Sequence, residues 1–168
     1  MTDADQTAST AGDHRNVDRV TRAAAERGLA ISVQRYPAGT RTAQDAARAV
    51  GCDVAQIVKS LVFVADGRVV IALVSGADRA DTQRLAAALG AGRVRRADAD
   101  QAREATGYAI GGIPPLGHRS AVPVLMDEHL LEQDTVWAAA GLPDAVFAVD
   151  PRALVAAANA QVAAIAEQ

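Results

Sequence analysis

Residues 58–76, VKSLVFVADGRVVIALVSG, constrain the fold more than any other part of the chain. Two runs rich in β-branched residues flank Asp66-Gly67, a dipeptide suited to the two positive-φ positions of a type I′ hairpin turn. A two-residue turn pairs Ala65 with Arg68, which puts Lys59 opposite Val74 and Leu61 opposite Ala72. Alternation then assigns Ile57, Lys59, Leu61 and Phe63 to one face and Val58, Ser60, Val62 and Val64 to the other. Both faces are apolar, so the strand is expected to be covered on two sides. Lys59 is the anomaly in this pattern. The chain has one lysine against sixteen arginines, and leaving a buried ammonium unpaired costs roughly several kcal/mol. Either the stem packs while the head snorkels to water, or the amine faces a ligand at a pocket wall. Periodicity alone leaves both readings open.

The elements around the hairpin mix helix and strand without regular βα alternation. Residues 1–12 are small and polar and read as a disordered tail. The remainder, 13–168, reads as a single domain. Val17, Val20, Ala23 and Ala24 fall at helical spacing, with Gly28 as a stop. Residues 31–36 read as a strand ended by Pro37, and 42–51 as a helix between Thr42 and Gly51. Beyond the hairpin, helices are expected over 79–89 and from an Asp98 cap to about Ala105. Strands are expected over 92–97, 121–127, 135–140 and 145–150, with a short helical piece at 128–133. Asp150-Pro151 opens a closing helix drawn to about Glu167. This order points to an α+β fold, a curved mixed or antiparallel barrel-like sheet surrounded by helices.

Composition narrows the function classes. A net charge of −3 disfavours bulk-charge binding of long nucleic acids, so no DNA partner is expected. Brief contact with a tRNA end remains compatible with a local basic patch such as Arg93, Arg95 and Arg96, although a solvated strand edge explains those residues as well. One cysteine, Cys52, rules out an internal disulfide and fits a reducing compartment. No apolar run approaches the ~18 residues of a membrane span, and no basic segment followed by an apolar one opens the sequence. A cytoplasmic location is expected, with no membrane partner. His14, His118 and His129 are scattered, and the adjacent Asp127-Glu128-His129 do not share a helix face. Neither a metal nor a cofactor is expected.

Phosphate-loop, dinucleotide-fold, nucleophile-elbow and HExxH signatures are all missing. The Gly/Pro-rich GYAIGGIPPLGH (107–118) is more telling. Gly111 and Gly112 allow close backbone approach to a ligand, and Pro114 and Pro115 stiffen the path. Such a loop can aim two glycine amides at a developing oxyanion, or simply connect two strands rigidly.

Taken together, QIVKSLVF and TGYAIGGIPPLGH, with TAQDAARAVG before and VPVLMDEHLL after, resemble the YbaK/prolyl-tRNA synthetase-associated family of aminoacyl-tRNA deacylases. The resemblance runs from about Tyr36 to Leu154. It implies hydrolysis, in trans, of the ester joining a wrong amino acid to a tRNA 3′ end, with prolyl-type editing favoured and an aminoacyl-tRNA synthetase as a further partner. The family's lysine falls on Lys59, and its Gly-x-x-x-Pro loop on Gly111 to Pro115. The catalytic roles carried over are those of Lys59, Gly111 and Gly112. Substrate contacts are expected from Ser60, Ile113, Pro114, Pro115, Gly117, His118 and Asp127. Asp127 reads equally as a helix N-cap, and His118 as a loop histidine. Two positions depart from the relatives. The cysteinyl-tRNA(Pro) branch usually has Thr after the lysine and Ser before the loop's final proline, whereas this chain has Ser60 and Pro114; the alanyl branch usually has Asn after the lysine. Alternatives are a non-catalytic tRNA- or synthetase-binding module of the same fold, and a hydrolase of another small ester.

Overall fold

The computed structural model describes residues 3–36 and 42–168, with side chains from His14 onward. Among the described residues, five α-helices and eight strands occur in mixed order, an α+β arrangement. The expected hairpin is present: β2 (Val58–Ala65) pairs antiparallel with β3 (Arg68–Ser75) through Asp66 at φ +47° and Gly67 at φ +83°. Lys59 lies opposite Val74 and Leu61 opposite Ala72, as the turn length requires.

Around this hairpin the strands form two sheets. The larger has the order β4-β2-β3-β5-β8, with β4 at Val94–Arg96, β5 at Val124–Asp127 and β8 at Gln161–Ala163. β3–β5 and β5–β8 are parallel and the other pairs antiparallel, so this sheet is mixed. The smaller, antiparallel sheet has the order β1-β7-β6, from β1 (Val33–Arg35), β6 (Val136–Ala139) and β7 (Ala145–Val149). A parallel bridge between Ile57 and Trp137 links the two. Among the described residues they do not close into a barrel.

The two-sided burial expected of β2 is observed. Val58, Val62, Ile71 and Leu73 join a large core with Val20, Ala23 and Ala24 of α1 (Asp3–Glu26) and with Phe147 of β7. Phe63, Ala65, Val70, Ala72 and Val74 pack on the opposite side with Leu85 of α3 (Thr82–Leu89) and Ile165. Helix α2 (Ala43–Val50) begins at the expected Thr42, whose side chain accepts the Asp45 N–H at 3.0 Å, and α4 (Ala99–Thr106) begins at Asp98.

Two expectations need adjustment. Helix α1 is drawn from Asp3, so it runs through most of the segment assigned to a tail; residues 3–12 contain no proline to stop it. The closing helix α5 is short, Pro151–Ala158, because Asn159 adopts a left-handed conformation at φ +51° and its N–H bonds back to Val155 and Ala156. The chain beyond becomes β8 instead of helix, its residues taken by the free edge of β5. Pro37, the expected strand end, lies outside the described residues. No described helix is long and apolar enough to cross a membrane.

Candidate active site

The open part of one strand edge borders a cavity. β4 pairs only with Phe63–Ala65, so among the described residues the edge of β2 from Val58 to Leu61 carries no ladder. Antiparallel pairs alternate between bonded and non-bonded. With Ala65–Arg68 closing the turn, Lys59, Leu61 and Phe63 bond to β3, while Ser60 and Val62 direct their backbone groups to the other edge. The Ala97 N–H bonding to the Val62 carbonyl at 3.0 Å fits this alternation. The Ser60 N–H and C=O are thus directed toward the uncovered edge.

A cavity of about 260 Å³ lies along that edge. Its walls are residues 57–61 of the lysine strand, the start of α2 (Thr42, Ala43, Ala46), the loop residues Ile110, Gly111 and Ile113, and Trp137, Ala139, Pro143 and Val146 from the smaller sheet and its turn. Most of this lining is apolar. Lys59 supplies a charge, and Ser60 a hydroxyl whose oxygen is buried without a hydrogen-bond partner among the described residues. A buried hydroxyl left in that state costs about 1–3 kcal/mol, a cost that an occupant of the cavity can remove.

Lys59 is half-buried, and its Nζ donates to the Asp78 carbonyl. Burial is the main cause that lowers its pKa from 10.5; the nearby Arg79 and Arg96 push the same way, and Asp78 opposes them. Lys59 thus lines the cavity, and its ammonium has a backbone carbonyl as partner.

The glycine loop needs one correction. Gly111, at φ +98°, lines the cavity, but the Gly112 N–H donates to the Ala109 carbonyl at 3.1 Å and is not offered to a ligand. Gly112 is required for packing: a Cβ there would meet backbone atoms of Leu142 at 2.8 Å. Pro114 is buried, and its carbonyl accepts the Nε2–H of His118 at 2.7 Å. Burial, more than any other effect, lowers the His118 pKa. His118 lines a second cavity with Pro115, Gly117, Arg27 and Arg68, so these residues face away from Lys59's cavity.

Asp127 is likewise misassigned as a substrate contact. It is 1% exposed, and backbone donors take both of its oxygens: Ile165 and Ala166 on Oδ1 at 2.9 and 3.0 Å, and His129 on Oδ2 at 3.1 Å. The N-cap alternative is the correct one. The 3-10 turn over Glu128–Glu132 also returns the His129 ring to Asp127, with Nδ1 at 3.3 Å from Asp127 Oδ2 and 2.9 Å from Asp78 Oδ2. These three side chains offer ligand-type atoms within 4.8 Å of one another, yet they already bond to each other and to backbone N–H groups. Asp127 and His129 meet because this segment is a 3-10 turn and not an α-helix, and the third member of the cluster, Asp78, is remote in sequence. Arg93, Arg95 and Arg96 are exposed on the edge strand β4 and its approach, with Arg96 5.5 Å from the Phe63 ring.

Comparison with known proteins fits this architecture. Residues 37–157 match the model of the aminoacyl-tRNA editing domain. The chain belongs to this family. One solved structure, provisionally named as a trans-editing enzyme for prolyl-tRNA synthetase, superposes with a TM-score of 0.87 at 45% identity, covering 91% of this chain and 98% of its own. Among curated proteins, the proline–tRNA ligase of Acidithiobacillus ferrooxidans is 36% identical over 103 residues, 61% of this editing-domain chain. The chain spans only 18% of that ligase. A protein of Enterococcus faecalis, provisionally named as a Cys-tRNA(Pro)/Cys-tRNA(Cys) deacylase, is 27% identical over 125 residues, 74% of this chain and 76% of that protein.

Sequence reading did not find Trp137, Ala139, Pro143 and Val146 as cavity walls. They lie about eighty residues from Lys59, and only the pairing of β6 with β7 and the Ile57–Trp137 bridge bring them there. The one available signal was that Trp137 is the only tryptophan in the chain.

Proposed function

We propose that this chain is a trans-acting aminoacyl-tRNA deacylase, residues 13–168 working as one editing domain in the cytoplasm on the 3′ end of a mischarged tRNA. Prolyl-type editing is the favoured setting, with an aminoacyl-tRNA synthetase as a partner. The observation that carries the reading is the half-buried ammonium of Lys59 on the wall of an apolar cavity that also holds Gly111 and the unsatisfied Ser60 hydroxyl.

An aminoacyl ester is already activated, so its hydrolysis needs a placed water and stabilisation of the developing oxyanion more than a strong nucleophile. Lys59 draws negative charge toward the cavity and engages the terminal nucleotide or its phosphate. The Gly111 backbone and Ser60 supply hydrogen bonds at the ester, and the apolar walls seat the aminoacyl side chain. Water adds to the ester carbonyl; the carbon–oxygen bond to the ribose then breaks, releasing the amino acid and a tRNA 3′ hydroxyl. The exposed arginines of β4 suit phosphates of the acceptor end. The two sheets, bridged at Ile57–Trp137, together serve as a barrel-like wall around the substrate.

The test is a panel of mischarged tRNAs given to wild type and Lys59→Ala. Turnover by wild type should fall at least about a hundredfold in the variant, with the circular dichroism spectrum and melting temperature retained. Lys59→Arg should also fail, because a planar guanidinium does not replace a compact ammonium. Near wild-type cleavage by Lys59→Ala would falsify the assignment. Binding of tRNA without turnover would favour a non-catalytic module, and activity confined to small esters would favour a different hydrolase.

A further inference from the structure

One of the three N–H donors of Lys59 goes to the Asp78 carbonyl. An ammonium on a four-carbon stem rotates freely, so this acceptor decides where the other two donors point. Asp78 lies in the turn between β3 and α3, and its N–H bonds to the Ser75 carbonyl at 3.0 Å. Just beyond it, residues 79–81 are joined to the C-terminal segment, with the Glu167 N–H on Arg79 at 2.7 Å and the Asp81 N–H on Ile165 at 2.8 Å. The Asp78 side chain has a different anchor. His129 Nδ1 is 2.9 Å from its Oδ2, and the same nitrogen is 3.3 Å from Oδ2 of Asp127. Asp127 cannot readily yield, since it is buried and held by three backbone donors.

We propose that His129 is a positioning residue for Lys59: its ring ties the Asp78 carboxylate to the buried Asp127, and so holds the Asp78 carbonyl where it orients the ammonium toward the cavity. The proposal rests on the reading of Lys59 as the group that engages the ester. His129 does not itself line the Lys59 cavity; it borders a neighbouring one with Ser75, Asp78 and Glu132. It therefore acts through Asp78. The charges that act on Lys59 are those of Asp78, Arg79 and Arg96, so a change made at His129 reaches the ammonium by moving Asp78. Two carboxylates around one ring also favour its charged form: the Asp78 hydrogen bond and then the Asp127 charge raise the His129 pKa above 6.5.

Because the chain has a single lysine, labelling with lysine carrying carbon-13 at Cε yields one side-chain signal, and its pH titration reports Lys59 alone. Wild type, His129→Ala and His129→Asn are compared, each also assayed on mischarged tRNA. Asparagine places its amide nitrogen close to where the histidine Nδ1 lies, so it keeps the donor to Asp78 without the ring. In His129→Ala the Lys59 titration should move further below 10.5, because the Asp78 carbonyl and charge that favour the ammonium shift away while the burial remains. The kcat should fall about tenfold or more, with KM changed less than about twofold. In His129→Asn the titration should return toward that of wild type, and kcat should recover to within about threefold. An unchanged titration in a folded His129→Ala variant would overturn the proposal. So would an asparagine variant as impaired as the alanine one, since the ring would then be only a structural support. Should wild type cleave no mischarged tRNA, the deacylase reading fails while the lysine titration still decides the role of His129.

Discussion

Lys59 shows how a charge is accommodated in a strand that packs on both faces. Its stem runs on the side of Leu61 and Phe63, and its head donates to a backbone carbonyl. Desolvation disfavours the charged form, and the carbonyl together with the Asp78 charge offsets part of that cost. His129 illustrates the opposite sign. Its pKa is raised above 6.5 by the Asp78 hydrogen bond and the Asp127 charge, so the fold favours the protonated ring. The stability this contributes is fully present below the unfolded value near 6.5 and is lost as pH rises through the raised folded value. Urea unfolding midpoints of wild type and His129→Asn should therefore differ most near pH 6 and draw together by about pH 9. A gap that widens with rising pH would contradict this charge assignment.

At the level of elements, the hairpin turn is held from two directions. Asp66 takes the positive φ that a type I′ turn demands, and its carboxylate accepts the N–H groups of Gly92 and Arg93, each at 2.9 Å. Its own N–H bonds to the Arg93 carbonyl at 3.0 Å. The turn therefore pins the approach to β4, the strand that ends where the cavity edge begins. Asp66→Ala removes both acceptors and places alanine at positive φ, and should cost about 1–3 kcal/mol in urea unfolding. Asp66→Asn, which tolerates the same backbone and keeps one carbonyl oxygen, should cost less. The C-terminal element teaches a different lesson. The alanine-rich tail after Pro151 has good helix propensity, yet Asn159 stops the helix and the edge of β5 captures residues 161–163. Propensity was overruled by an available strand edge.

For the whole molecule, the C-terminal segment has a role out of proportion to its length. β8 extends the larger sheet, Ile165 is fully buried beside Phe63 and Leu85, and residues 165–166 supply two of the three backbone donors to Asp127. Deleting residues 160–168 would open the second core and leave a buried carboxylate short of partners. The expected loss is about 3–5 kcal/mol or more, combining a cavity-type loss for Ile165 with an unsatisfied buried charge. A thermal melt should show it as a drop of at least about 10 °C. A truncated chain that melts with wild type would refute this account of the tail.

The sequence by itself determined the hairpin, its register, the caps at Thr42, Asp98 and Asp150, and the membership of Lys59 and the glycine loop in one family pattern. These are local matters: turn chemistry, alternation and capping act between residues a few positions apart. The tertiary structure alone decided that the Gly112 amide is already used, that His118 and Asp127 turn away from the cavity, and that Trp137 forms part of its wall. It alone joined Lys59 to Asp78 and Asp78 to His129, 51 residues further on. No pattern in the chain encodes such contacts, because they arise where separate sheets and loops pack. The orientation of the ammonium depends on that packing, whereas the presence of the lysine in its strand does not.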